Sequence, residues 1–279
     1  SARMNRYGLM VTASHNSPEW NGFQFLEKDS HIFGPEWEIN VKSRFGNPPE
    51  ELSFDRLGNY DHYLSALDEY TEELLGEVEI NKSFNILADF GHGTATLVVP
   101  TLFETLGIEY TAMHLGINPA FLKDLYHRIA QASQKTLQDV CDFVKNNKLD
   151  LGIVYDGDAD RLMVIDDRGR YVNGDHLMII MTRNCFPDGG TVIVTADTSV
   201  TINQFLEPLG FDIVPCRVGQ SFLGSLAREK KAVFAGEPPG HYMFPQYSLH
   251  GDGIRGIMVL LQAIQKEGVP LSEIVDEFP

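Results

Sequence analysis

Short apolar runs bounded by polar residues recur along the chain and predict the buried strands of an α/β protein. These runs lie at 8–11, 84–89, 110–113, 151–154, 162–165, 191–197, 211–214 and 232–235. Apolar residues at helical spacing predict helices at 61–75, from 94 to 106, at 133–147 with Ser133 as N-cap, up to 209, and after Gly219. Residues 76–82 are expected to form a linker.

Two stretches of the chain, 84–113 and 191–214, show the same order of features: strand, Ala-Asp, turn, helix, Leu-Gly, strand. Each continues through a helix to a further strand that ends in an unusual loop, at 156–161 and at 236–241. This order predicts a duplicated α/β unit. The loop at 12–16 corresponds to the same loop of an earlier unit whose first half is missing. Because ligand sites gather at the carboxyl ends of strands, three polar loops there predict one cleft at a junction of three domains.

The loop at 156–161 concentrates negative charge between two apolar strands. Asp156, Asp158 and Asp160 repel one another, and this arrangement is costly unless a cation neutralises it. Oxygen-only ligands suit a hard cation such as Mg²⁺. A solvated acidic turn is the alternative, which the flanking apolar strands disfavour. An EF-hand is rejected, because that loop needs Gly and Glu where this chain has Arg161 and Asp167.

Composition limits the partners and the compartment. The hydrophobic content of 43% and charged content of 22% are ordinary for a globular protein, and no apolar run is long enough for a bilayer. The net charge of −17 argues against nucleic acid or an anionic membrane as partner. An anionic substrate would therefore need local positive groups. Three widely spaced cysteines, Cys141, Cys185 and Cys216, are expected to be buried free thiols in a reducing cytoplasm. The chain starts without Met, so we expect a processed, trimmed or partial chain; its oligomeric state, monomer or homodimer, stays open.

A serine stands at the first strand-to-loop junction, in Ser14-His15-Asn16. It could be a nucleophile with polar helpers. A turn capped by its own side chains is the commoner explanation of such a sequence. Both interpretations stay open on these residues alone.

The three loops together resemble those of the α-D-phosphohexomutases. The loop at 12–16 resembles that family's phosphoserine loop T-A-S-H-N, the loop at 156–161 its metal loop D-G-D-A-D-R, and the loop at 236–241 its sugar loop G-E-x-S-G-H. The likeness continues through 161–170 and 174–175. It implies repeated three-layer α/β/α domains with mixed, mostly parallel sheets around a shared central cleft. The implied domains are 1–78 (part of domain 1), 79–186 (domain 2) and 187–279 (domain 3), without a counterpart of the fourth.

The resemblance implies an enzyme, an intramolecular phosphotransferase that interconverts hexose 1-phosphate and 6-phosphate through a hexose 1,6-bisphosphate. Ser14 would carry the phosphoryl group, and Mg²⁺ on Ser14, Asp156, Asp158 and Asp160 would neutralise developing charge. His15 would polarise the serine or phosphate, with a turn histidine as the alternative. Arg161 would bind phosphoryl oxygens, or form a salt bridge within its own loop. The implied substrate-binding positions are Gly219, Gln220, Glu237, Pro239 and His241.

Three positions depart from the family pattern. The family's lysine ten residues beyond the serine is Gln24, the position after Gly219 is Gln220, and the serine of the sugar loop is Pro239. Because glutamine does not exchange a proton at neutral pH, acid/base duty must fall on another group, on water or on the substrate. We expect a glucose or mannose phosphate as substrate, with glucosamine phosphate as the alternative. A non-catalytic sugar-phosphate-binding relative, a phosphatase and a bisphosphate synthase also stay open.

Overall fold

The computed structural model describes residues 5–17, 19–48, 51, 53–118 and 128–279. Its strands are β1 (Gly8–Val11), β2 (Phe23–Leu26), β3 (Asn85–Asp89), β4 (Glu109–Met113), β5 (Leu151–Tyr155), β6 (Leu162–Asp166), β7 (Tyr171–Val172), β8 (Gly190–Thr195), β9 (Phe211–Cys216), β10 (Phe234–Glu237) and β11 (His241–Met243). Its α-helices are α1 (Pro35–Lys42), α2 (Ala66–Glu77), α3 (Val99–Leu106), α4 (Gln138–Asn147), α5 (Gly174–Cys185), α6 (Thr201–Leu206), α7 (Gln220–Lys230), α8 (Gly253–Glu267) and α9 (Leu271–Val275). Short 3₁₀ turns lie at Phe54–Arg56, Thr94–Leu97 and Glu207–Leu209.

Two sheets repeat one topology. One has the strand order β4-β3-β5-β6-β7 and the other the order β9-β8-β10-β11. In each sheet the first three strands are parallel and the next is antiparallel. The antiparallel strands follow from short connections, because a parallel pairing needs a longer crossover. The predicted duplicated unit and the mixed, mostly parallel α/β fold are confirmed.

The serine loop follows β1, which pairs only with β2 in the described part of the chain. In this hairpin Met10 lies opposite Gln24, and Val11 opposite Phe23. Side chains alternate between the two faces of a strand, so Met10 and Gln24 share one face. That face is half-buried, whereas the face with Val11 and Phe23 is exposed. Gln24 therefore points toward the body of the molecule.

The hydrophobic core joins the two repeats. Helices α5 and α8 pack against each other, and α8 also contacts β6 of one sheet and β11 of the other. Ten residues of α8 are buried, from Gly253 to Ile264. Strands β5 and β6 are buried at every position. The loop between them is therefore held between rigid elements.

Three helix boundaries differ from the sequence prediction. Ser133 does not cap α4, which begins at Gln138, because its hydroxyl bonds Thr136 in a separate turn. The segment predicted from residue 94 is a 3₁₀ turn followed by α3, since Pro100, lacking an N–H, sits in the first turn of a new helix. The helix predicted at 61–75 is α2, which begins at Ala66 and takes in the first residues of the expected linker.

The three thiols are free, but only Cys141 is fully buried; Cys185 and Cys216 are half-buried, which corrects the expectation for those two. Burial raises the pKa of each to about 11. The thiolate is therefore scarce at neutral pH and these cysteines are poor nucleophiles. In the part of the chain that the structure describes, no helix has both the length and the apolar character needed to cross a bilayer.

Candidate active site

The acidic loop connects β5 to β6 and brings its three carboxylates together. Asp156 and Asp160 are buried and Asp158 is half-buried. One oxygen from each of the three side chains lies within 4.8 Å of the others. We call this set the acidic cluster.

The loop that follows β3 holds the acidic loop in place. The amide of Thr94 donates a hydrogen bond to the carbonyl of Gly157 at 2.9 Å. Gly93 approaches so closely that a Cβ there would lie 2.6 Å from the Gly157 oxygen and 2.8 Å from the Asp156 oxygen. Only glycine fits this contact without displacing the acidic loop.

Ser14 lies against the acidic cluster. Its Oγ is 3.3 Å from Asp156 Oδ2 and 3.1 Å from His15 Nδ1. Thr12 Oγ1 donates to Asp158 Oδ2 at 2.5 Å and accepts from the Ser14 amide at 2.8 Å. Ser14 adopts a left-handed φ of 49°, which is uncommon for a residue other than glycine. The hydroxyl and the carboxylates thus share one small polar space.

The charges in this space are not balanced by the protein alone. Burial raises the pKa of Asp156 well above its ordinary value, and the carboxylates of Asp160 and Asp158 raise it further. Burial also raises the pKa of Asp158, whose buried Oδ1 has no hydrogen-bond partner among the described residues. Two carboxyl groups are therefore pushed toward the neutral form unless a cation joins them. An unpartnered carboxylate oxygen and an all-oxygen donor set fit a hard divalent cation.

His241 and Arg161 neutralise part of the cluster. His241 Nε2 is 3.2 Å from Asp160 Oδ1, and its Nδ1 contacts the Glu237 carboxylate. Burial lowers the pKa of His241, but the hydrogen bond and charge of Asp160, with Glu237, outweigh burial and raise it to about 9. Arg161 Nε lies 3.0 Å from His241 Nε2 and 3.7 Å from Asp156 Oδ2. In this arrangement Arg161 forms an ion pair with Asp156 of its own loop, as in the interpretation of Arg161 as a salt-bridge residue.

Histidine 15 is kept neutral at this site. Burial lowers its pKa, and the positive charges of Arg161 and His241 lower it further. A neutral imidazole 3.1 Å from Ser14 Oγ can accept the hydroxyl proton.

The residues of the loop at 236–241 also lie at the acidic cluster. Glu237 is buried and paired with His241, and Pro239 is exposed in the tight β10–β11 connection. Gly240 accepts a hydrogen bond from the Leu162 amide at 3.0 Å, which joins this loop to the acidic loop. The structure thus brings together the three loops at 12–16, 156–161 and 236–241, named here the three-loop site.

The second glutamine also touches the acidic cluster. Gln220 is the first residue of α7, directly after Gly219, whose φ of 124° suits glycine. Its Nε2 donates to Asp160 Oδ2 at 2.7 Å. Gln220 therefore orients a carboxylate in the structure.

The sequence pattern did not single out His250. Its Nε2 is 3.0 Å from Gln24 Oε1, and its Nδ1 is 3.1 Å from the carbonyl oxygen of Gly251. Gln24 and His250 are separated by 226 positions, and no local motif includes them both. Only the folded chain reveals the pair.

A cavity of about 700 Å³ lies elsewhere, between α2, the end of α5 and α8, and is lined by Glu77, Cys185 and Arg255 among others. It contains none of the three loops. We place the site at the acidic cluster because nucleophile, carboxylates and histidines converge there.

Comparisons with known proteins agree with this geometry. A phosphoglucosamine mutase from Methanococcus aeolicus is 32% identical over all of this chain and 63% of that protein, and one from Methanocaldococcus jannaschii is 30% identical over the same shares. The solved structure of a phosphoglucomutase/phosphomannomutase family protein from Burkholderia thailandensis superposes with a TM-score of 0.84 at 25% identity, over 98% of this chain and 58% of that one. The chain thus spans less than two thirds of these relatives.

Two models of a single family match most of the sequence. Residues 61–169 match the phosphoglucomutase/phosphomannomutase alpha/beta/alpha domain II, and residues 173–279 match domain III of the same family. The acidic loop lies in the first match and the sugar loop in the second. The chain belongs to the phosphoglucomutase/phosphomannomutase family, the α-D-phosphohexomutases.

Proposed function

We propose that the protein is a phosphohexomutase, an enzyme that moves a phosphoryl group between two hydroxyls of one hexose through a phosphorylated Ser14. The observation that carries the proposal is the position of the Ser14 hydroxyl, 3.3 Å from a buried carboxylate of the acidic cluster. A serine that only capped its own turn would have no need of three carboxylates beside it. Hexose phosphate and hexose 1,6-bisphosphate are the partners that this reaction requires.

The acidic cluster is the proposed Mg²⁺ site, with Asp156, Asp158 and Asp160 as ligands and the phosphorylated Ser14 beside them. When bound, Mg²⁺ would supply positive charge to a phosphoryl group in transfer. The chain's net charge of −17 makes such local positive charge necessary for an anionic substrate.

The neighbouring side chains have separate proposed tasks. His15 accepts the Ser14 proton when the serine is phosphorylated, and Arg161 supplies positive charge at the phosphoryl group once a ligand draws it from Asp156. Glu237, Pro239 and His241 form the wall that the sugar contacts, and Gly219 and Gln220 supply further contacts to the sugar.

Sequence similarity favours glucosamine phosphate as the sugar, rather than the glucose or mannose phosphate expected from the sequence. Two of the most similar proteins are named phosphoglucosamine mutases. The buried carboxylate of Glu237 offers an acceptor that an amino or hydroxyl group of the sugar can use.

Turnover by the full-length protein tests the proposal. Glucosamine 6-phosphate, glucose 1-phosphate and mannose 1-phosphate are each supplied with Mg²⁺ and a hexose 1,6-bisphosphate primer. We expect the highest kcat/KM with glucosamine phosphate and none after Ser14→Ala. The absence of isomerisation with all three sugars would contradict the mutase assignment, and release of free phosphate would indicate a phosphatase.

A second candidate function is sugar-phosphate binding without turnover. The observation in its favour is that Gln24 and Gln220, which cannot exchange protons, occupy the site. Calorimetric binding of a hexose phosphate by a protein that gives no isomerisation would support it.

A further inference from the structure

Transfer of a phosphoryl group to a sugar hydroxyl requires a group that takes the hydroxyl proton. Gln24 and Gln220 cannot do this. His241 already contacts Asp160, Glu237 and Arg161. His15 contacts the Ser14 hydroxyl, whose proton it takes.

His250 differs from these two histidines in its surroundings. Its ring is half-buried, and its two hydrogen-bond contacts are an uncharged amide and a main-chain carbonyl. The carboxylates of Asp158 and Asp160 are near enough to interact with the ring electrostatically. The ring is thus next to the acidic cluster without being paired to a carboxylate in the described structure.

The two ring nitrogens of His250 have different roles. A carbonyl oxygen can only accept, so the contact with Gly251 fixes the proton on Nδ1. Nε2 is then the nitrogen whose lone pair is available to accept a proton from a substrate hydroxyl. Its partner is the Gln24 amide, which can rotate to present either its oxygen or its NH₂ group and so suits both forms of the ring.

The main chain holds His250 against the three-loop site. The Gly251 amide is 3.4 Å from Gln220 Oε1, and Gln220 in turn donates to Asp160. Gly251 packs so closely that a Cβ there would lie 2.8 Å from the Asp160 carbonyl oxygen. Gln24 lies in β2 opposite Met10, on the same face of the hairpin. Met10 is the next-to-last residue of β1, the strand that leads to Ser14. His250 is therefore fixed between the acidic loop and the hairpin of β1 and β2, named here the serine hairpin.

We propose that His250 is the general acid/base on the sugar side of the reaction and that Gln24 positions it. The proposal rests on the mutase function above. As one sugar oxygen forms its bond to phosphorus, its proton passes to Nε2 of His250, while the Ser14 Oγ–P bond breaks and Oγ takes back a proton from His15. In the second half-reaction Oγ returns that proton to His15 as it forms a new bond to phosphorus. In the same step the O–P bond at the other phosphorylated position of the sugar breaks, and that oxygen takes the proton from Nε2.

The test compares full-length wild type with His250→Gln, using His62→Gln as control because His62 is exposed and its ring contacts Tyr60. A positioned acid/base contributes about 10²–10⁴-fold, so we expect kcat to fall by that factor in His250→Gln with little change in KM. His62→Gln should match wild type.

A rescue experiment distinguishes a chemical role of His250 from a structural one. The double variant His250→Gln, Gln24→Lys places an amine where the imidazole and the amide now meet. We expect it to recover at least about tenfold of the lost kcat, with its optimum at higher pH because the lysine pKa is near 10.4.

Two results would overturn the assignment of His250. A kcat for His250→Gln within about threefold of wild type would remove its acid/base role, because that role is worth far more. A loss of kcat that Gln24→Lys does not restore, together with a lower Tm, would make the residue structural. Wild type without turnover on any of the three sugars would instead refute the mutase function itself, so the two failures can be distinguished.

Discussion

At the scale of residues, the acidic cluster combines burial with like charge. Asp156 is completely buried beside two further carboxylates, and both burial and repulsion raise its pKa. Asp160 is stabilised in the ionised form mainly by His241, against the effect of burial. His241 and Arg161 therefore offset only part of the negative charge of the acidic cluster, and the remainder favours a bound cation.

Replacing Asp158 by Asn is expected to weaken Mg²⁺ binding. Without metal, the variant should be as stable as wild type or more stable, because one repelling carboxylate is gone. With Mg²⁺ at 100 times its Kd, wild type gains about 2.7 kcal/mol, and the variant should lose most of this gain. Thermal unfolding with and without MgCl₂ measures both effects. Asp188→Asn, at an exposed position, is the control; equal Mg²⁺ stabilisation of Asp158→Asn and wild type would contradict the site.

A second residue-scale prediction concerns pH. His114 Nδ1 is 2.8 Å from the buried Asp89 carboxylate, and this hydrogen bond raises the pKa of His114. A raised pKa in the folded state stabilises the protein below the unfolded pKa of about 6.5, and this stabilisation is lost as pH rises through the folded pKa. His114→Gln should therefore lower the free energy of unfolding more at pH 5.5 than at pH 8.5, by up to about 1 kcal/mol. Urea unfolding at both pH values is the measurement, and an equal loss at both would contradict the ion pair.

At the scale of elements, the local sequence pattern predicted most strands of the two repeats but few of the contacts that join the repeats. The eight apolar runs are all strands in the structure, within a few residues at their ends. Strand β2 was missed because its phenylalanines face outward. Helix α8 was not predicted, although its apolar residues recur at helical spacing. The three site loops could be predicted because each is a contiguous motif. The pair Gln24 and His250 could not, because only tertiary packing brings them together.

The close approach of two loops gives an element-scale prediction. Gly93→Ala should destabilise the protein by about 1–3 kcal/mol and weaken Mg²⁺ binding, because the new methyl group would press on the main chain of the acidic loop. Gly76→Ala, in the exposed last turn of α2 with open space around it, should instead stabilise by up to about 1 kcal/mol. Urea unfolding of both variants measures these changes in the free energy of unfolding. A neutral Gly93→Ala would mean that the β3 loop does not hold the acidic loop.

At the scale of the whole molecule, buried and surface ion pairs join the segments that carry the three loops. Arg255 of α8 is buried and contacts Glu73 and Glu77 of α2 as well as Asp252. Arg228 of α7 contacts Glu27 and Asp29, directly after the serine hairpin. These contacts fix the serine hairpin and the two repeats relative to each other. The distance from Ser14 to the acidic cluster is thus set by the whole structure rather than by one loop.

Phosphoryl transfer to Ser14 tests the central claim most directly. Intact mass of the full-length protein is measured before and after incubation with a hexose 1,6-bisphosphate and Mg²⁺, for wild type, Ser14→Ala and the same-loop control Ser17→Ala. We predict one added phosphoryl group on wild type and on Ser17→Ala, and none on Ser14→Ala or when Mg²⁺ is withheld. A wild-type mass that does not change, or an addition that persists in Ser14→Ala, would contradict the phosphoserine mechanism.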